Sequence, residues 1–122
     1  MAESDAHKER VAALVDWMTR QGVTVTEASG GLALPDPGPI GRHEPDAIGT
    51  KGGVIWIGEA KIGNDLGAPT SQEQFADFSN RQMTETRTPC PFILCVPQGF
   101  GAAAERAVIE AGGSTSNLTV IA

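Results

Sequence analysis

A chain of 122 residues and about 12.7 kDa has room for one hydrophobic core, burying roughly two-thirds of its unfolded surface. With 40% apolar and 20% charged residues, 15 Gly and 8 Pro, its composition excludes a disordered or fibrous chain and suits a turn-rich α/β domain. No apolar run approaches the ~18 residues of a membrane span, the polar Met1–Arg10 segment lacks the apolar stretch of a signal peptide, and the nine Lys and Arg against 15 Asp and Glu form no basic arm. No membrane partner is expected, and the cytoplasm is the expected location. Cys90 and Cys95 lie five apart without a C-x-x-C or a spaced His pair, which argues against zinc; Cys95 reads as a small core residue.

In chain order, Val11, Leu14, Val15 and Met18 fall at the i, i+3, i+4, i+7 spacing of an amphipathic helix over about Ser4–Gln21, with Ser4 as N-cap and Gly22 as terminator. Val23–Thr26 alternates and predicts a strand. Pro35, Pro37, Pro39 and Pro45 with Gly38 and Gly41 prevent regular structure over 35–45 and mark a surface loop. Asp46–Thr50 and Val54–Ile62 read as two strands joined at Lys51-Gly52-Gly53, a favoured hairpin turn. Ser71-Gln72-Glu73-Gln74 matches a capping box, opening a helix whose Phe75, Phe78, Ser79 and Gln82 share one face. Phe92–Val96 predicts a buried strand, Ala102–Ala111 a short helix and Leu118–Ile121 a last strand. The order is α-β-β-β-α-β-α-β, with no internal repeat.

With Gly52 and Gly53 as the turn residues, Lys51 faces Val54, Thr50 faces Ile55, and the same register sets Asp46 opposite Glu59. Facing Cβ atoms lie about 4.5–5.5 Å apart, and two like charges at ~5 Å repel by about 3 kcal/mol at an effective dielectric near 20. Nothing within the two strands offsets that repulsion. A divalent cation would, and hard cations such as Mg²⁺ or Mn²⁺ take oxygen ligands of this kind. The two-residue period of a strand puts Lys61 on the same face as Glu59, so Asp46, Glu59 and Lys61 are expected to converge.

Glu44-Pro45-Asp46 followed, after a spacer of twelve residues, by Glu59-Ala60-Lys61 resembles the PD-(D/E)xK nuclease superfamily. The element order is similar to that superfamily's core over most of the chain. The resemblance implies a restriction-endonuclease-like three-layer αβα sandwich around a mixed sheet, and hydrolysis of phosphodiester bonds, with DNA the expected substrate. It implies further that Asp46, Glu59 and the Ala60 carbonyl hold Mg²⁺ or Mn²⁺ while Lys61 orients the attacking water. Gln74-Phe75-Ala76-Asp77-Phe78 resembles the Q-h-x-x-Y motif of RecB-like members, with Phe78 where Tyr is usual, and so adds Gln74 to the catalytic candidates. Gln72, three residues before Phe75, competes with it.

Family members often carry an acid on the first helix, but Glu9 lies about 170° from the centre of the apolar stripe and faces solvent. His7, four residues before Val11, points the better way and joins the accessory candidates, as does His43, three residues before Asp46. Two plainer readings stand beside these: a surface hairpin in which Lys61 pairs with Glu44, and solvated glutamines on a capped helix. Gly99-Phe100-Gly101-Ala102-Ala103-Ala104 fits a G-x-G-x-x-A dinucleotide fingerprint, yet the strand that follows ends without the acid that would bind a ribose. A non-catalytic nuclease-fold interaction or regulatory domain is the alternative function. The net charge of −6 implies weak nucleic-acid affinity alone, and hence an additional DNA-binding domain or subunit, while the short chain suggests a single nuclease-like domain excised from a larger protein, or a subunit that pairs with a partner or with itself as a homodimer to make a groove.

Overall fold

The Ser4 side chain accepts a hydrogen bond from the His7 amide and caps α1, Asp5–Arg20; the computed structural model describes residues 4–122 from this cap onward. After Gln21, Gly22 turns the chain at φ +85° into β1, Thr24–Ala28, which ends two residues later than the alternation indicated. The Pro-rich loop leads to β2, Ala47–Lys51, and β3, Val54–Ala60. Gly52 and Gly53 join them with φ of +58° and +79°, both in the left-handed region that a tight hairpin requires. A single 3₁₀ turn, Gly63–Asp65, precedes α2, Pro69–Ser79; then come β4, Phe92–Cys95, α3, Gly101–Glu110, and β5, Leu118–Ile121.

The five strands form one mixed sheet in the order β1-β2-β3-β4-β5, antiparallel through β3 and parallel from β3 to β5. Val11, Leu14 and Met18 of α1 pack on one face against Ala47, Ala60, Ile93 and Cys95. Phe75 and Phe78 of α2 and Ala104 and Val108 of α3 pack on the other, against Ile57, Phe92 and Leu94. Helices thus cover both faces, and all four residues of β4 are buried, as expected of a parallel strand between two helical layers. Phe92 anchors the second face with its ring edge-on to Phe78 at 6.0 Å. On the first face α1 lies so close to β3 that a Cβ on Gly58 would stand 3.0 Å from both Leu14 methyls and from the Met18 sulfur.

Two local expectations are corrected. The second helix starts at Pro69 with Ala68 as N-cap and no side-chain cap, because Pro at the first helical position already has helical φ and needs no donor. Ser71 is therefore inside the first turn and buried, and the capping box does not form. Phe75, Phe78 and Ser79 do share the buried face, but the helix ends at Ser79; Gln82 lies beyond it, exposed, in a bridge with Pro89.

Candidate functional site

Asp46 continues the β2–β3 ladder one pair past Ala47 and Gly58: its amide donates to the Gly58 carbonyl at 3.0 Å and to Glu59 Oε1 at 3.1 Å. The hairpin register therefore sets the two acids side by side at the sheet edge, and both are buried, at 8% and 3% exposure. Four groups surround the Asp46 carboxylate. Ser29 Oγ donates to Oδ1 at 2.9 Å, the Ala60 amide donates to Oδ2 at 2.9 Å, and His7 Nε2 lies 3.2 Å from the same Oδ2. Glu59 is the fourth, its carboxyl held beside that of Asp46 by the Asp46 amide.

Burial alone would push the Asp46 carboxyl up, but His7, Glu59 and the Ala60 amide together hold it below its ordinary value. Glu59 goes the other way. Its complete burial and then the neighbouring Asp46 charge push its carboxyl well above the usual range, against the opposing pull of the Lys61 ammonium 3.3 Å from Oε2. The expectation that nothing within the two strands offsets the repulsion is thus corrected: the Ala60 amide of β3 itself, with His7 from α1, stabilises Asp46 as the anion, while Glu59 is left favouring its proton.

Lys61 follows the end of β3, its amide donating to Cys95 O in continuation of the β3–β4 ladder. The strand period brings its side chain to the α2 face with Glu59, where Nζ donates to Gln74 Oε1. Its partners are Glu59 and Gln74, not Glu44, which the surface-hairpin reading would need. Gln74 is half-buried beside the buried Phe75, so α2 is fixed in rotation by its core and delivers the glutamine to the lysine.

On the other side, His7 extends from the first turn of α1, its Nε2 3.2 Å from both Asp46 Oδ2 and the Ala60 carbonyl oxygen. Both of those atoms are acceptors, so as a hydrogen-bonding group this nitrogen must carry its proton. Carboxylate, carbonyl and imidazole here converge on one point. Two carboxylates and a carbonyl are donors suited to a hard divalent cation, and positive charge there would remove the penalty that raises the Glu59 carboxyl. No group of three or more His, Cys, Asp or Glu side chains among the described residues meets the geometry of a metal cage. A cation here would depend on the Ala60 main chain.

Asp46, Glu59, Ala60, Lys61, Gln74 and His7 are thus brought together, and Glu9 is exposed, as its helical phase indicated. Two accessory candidates are not brought in. Gln72 is exposed and lines a crevice with Leu66, Ala103 and Arg106, because only one of two glutamines two positions apart can face the sheet edge. His43 packs toward Glu73, Nε2 to Oε1 3.7 Å, where Arg42 also pairs with Glu73 and donates its amide to Asp77; the Pro-rich loop is pinned to α2.

Ser29 escaped the sequence reading. In β1, Val25 pairs with Gly49, but Glu27 pairs with Ile48 and Ala28 with Ala47, so a bulge at Thr26 shifts the register by one. Without the bulge Ala28 would oppose Asp46. With it Ser29 does, its amide donating to Asp46 O at 2.9 Å and its hydroxyl to Oδ1. No turn or alternation signal marks that bulge. Comparisons of the chain with protein-family models, with curated proteins and with solved structures find no match.

Proposed function

We propose that this chain is a metal-dependent nuclease of the PD-(D/E)xK type, with a restriction-endonuclease-like three-layer αβα sandwich, which hydrolyses phosphodiester bonds in DNA. The observation that carries the reading is the convergence of Asp46, Glu59, Lys61 and Gln74 from three separate elements on one sheet edge. Asp46, Glu59 and the Ala60 carbonyl would hold Mg²⁺ or Mn²⁺, with His7 Nε2 beside them. A divalent ion so held supplies a water of lowered pKa and a counter-charge for phosphate oxygens.

The protein's own groups do the rest. Ser29 and the Ala60 amide fix the Asp46 carboxylate, so its lone pairs are aimed before substrate arrives. Gln74 and Glu59 hold the Lys61 ammonium between them, ready to orient the attacking water and to meet charge building on the phosphate. Burial of both acids keeps bulk water from weakening these interactions.

One observation favours a second reading, a nuclease fold used for interaction alone: Lys61 is already paired on both sides, and the −6 charge disfavours a polyanion. An additional DNA-binding module would supply the missing attraction. The deciding experiment is cleavage of labelled supercoiled, linear, single-stranded and four-way-junction DNA, and of RNA, with Mg²⁺ or Mn²⁺. Cleavage lost in Lys61→Ala and in chelator supports the nuclease; folded protein that cuts none of them supports the interaction domain.

A further inference from the structure

Beside the carboxylate pair, an open groove of about 620 Å³ runs between the first turns of α1 and the loops that follow β3 and β4. Ala6, Glu9 and Arg10 of α1 line it together with Ile62, Pro97, Gln98 and Ala122, so that one guanidinium and one carboxylate face the groove. It adjoins the candidate centre on two counts. Ala6 immediately precedes His7, whose imidazole touches Asp46 and Ala60, and Ile62 is the residue after Lys61.

The same two loops present an aromatic ring. Phe100 packs its ring directly on the backbone of Gly63, where an added Cβ would stand 2.3 Å from the ring, and its amide donates to Pro97 O. It is 39% exposed, the one exposed aromatic residue among those described, whereas Phe75, Phe78 and Phe92 are fully buried.

We propose that this groove and the Phe100 ring form a subsite for the nucleotide next to the scissile phosphate, and that the strand it accepts is single. The inference rests on the nuclease reading for the position of the scissile bond. A guanidinium for a backbone phosphate beside apolar and aromatic surface for an unstacked base is the pairing by which proteins hold single strands. The volume fits a small-molecule site, within the ~300–1,000 Å³ usual for one. A base inside a duplex is stacked and paired, and reaches neither Ile62 and Pro97 nor the Phe100 face. Stacking also explains how so acidic a chain could hold nucleic acid with few phosphate contacts.

The test is fluorescence anisotropy of a labelled oligothymidylate strand, and of the same strand paired with its complement, with Ca²⁺ as the ion. It uses the native chain, Arg10→Gln, Arg10→Lys and Phe100→Leu, the last keeping an apolar contact on Gly63. The native chain should bind the single strand more tightly than the duplex. Arg10→Gln should weaken it about tenfold and flatten its salt dependence by about 0.7 in log–log slope, the contribution of one phosphate contact, with Arg10→Lys restoring most of both. Phe100→Leu should weaken binding about tenfold with the salt slope unchanged. Equal binding of strand and duplex, absence of binding, or native affinity in both Arg10→Gln and Phe100→Leu overturns the subsite. Hydrolysis of bis(p-nitrophenyl) phosphate with Mn²⁺ by the native chain, lost in Lys61→Ala, tests the nuclease reading separately.

Discussion

Replacing Glu59 by Gln should make the chelator-treated protein more stable at neutral pH while depriving it of its proposed metal ligand. Glu59 is 3% exposed, and its charged form is opposed by burial and by Asp46. At an effective dielectric near 20, the Asp46 carboxylate at ~5 Å costs about 3 kcal/mol. The Lys61 ammonium at 3.3 Å offsets about 5 kcal/mol of the total cost, but desolvation of a buried carboxylate adds several more. The raised carboxyl shows that the unfavourable side wins. Glutamine keeps an oxygen for the Asp46 amide and gains an N–H toward its carboxylate, and Lys61 retains Gln74. A net gain of about 1–2 kcal/mol at pH ~8 follows.

The sign of the pH dependence comes from the same shift. A carboxyl raised on folding contributes its stability below its unfolded pKa and loses it as pH rises through the folded value. Native protein should therefore lose stability relative to Glu59→Gln on going from about pH 4 to 8. Asp46, lowered on folding, contributes above its unfolded value and loses that contribution in acid, in both proteins. With ~2.1 cal/mol/K of unfolding entropy per residue over 122 residues, 1 kcal/mol is worth about 4 °C. Calorimetric Tm in chelator should thus be about 4–8 °C higher for Glu59→Gln at the alkaline end and nearly equal at the acid end. A variant less stable than native at every pH would refute the claim that this acid is buried at a cost.

Three further outcomes follow from the same geometry. Ser29→Ala removes the 2.9 Å bond to Asp46 Oδ1, and should lower stability by about 1–2 kcal/mol in denaturant melts and weaken Mn²⁺ binding roughly 10–100-fold. Gly58→Ala places a Cβ 3.0 Å from the Leu14 methyls and the Met18 sulfur, which must give by a fraction of an ångström inside a fully buried seam; urea unfolding should show a loss of about 1–3 kcal/mol. Gln74→Ala frees Lys61 from α2, so kcat for DNA cleavage should fall roughly tenfold or more with KM nearly unchanged and with Tm within about 4 °C of native.

The hairpin was legible because its two determinants are local. Gly52-Gly53 accepts the positive φ that a two-residue hairpin loop demands, and the loop length fixes the register that carries Asp46 opposite Glu59. The α1 stripe likewise oriented His7 and Glu9. What stayed hidden depends on contacts across the fold. The bulge at Thr26 that turns Ser29 toward Asp46 has no local signature. The start of α2 was set by Pro69 rather than by the more conspicuous Ser71, and the burial of Phe75 and Phe78 against the sheet fixes the rotation by which Gln74, not Gln72, meets Lys61. His43 is drawn to Glu73 by the packing of an irregular loop, which no periodicity describes.

The most direct test of the central claim, that the Asp46–Glu59 pair is a cation centre, is isothermal titration of Mn²⁺ into the native chain in two buffers of different ionisation enthalpy. A saturable site that Asp46→Asn and Glu59→Gln each abolish is expected, with a buffer-dependent heat because a cation pulls the raised Glu59 carboxyl toward its anion and so releases protons. Absence of saturable binding at millimolar Mn²⁺, or binding that survives both substitutions, would contradict it.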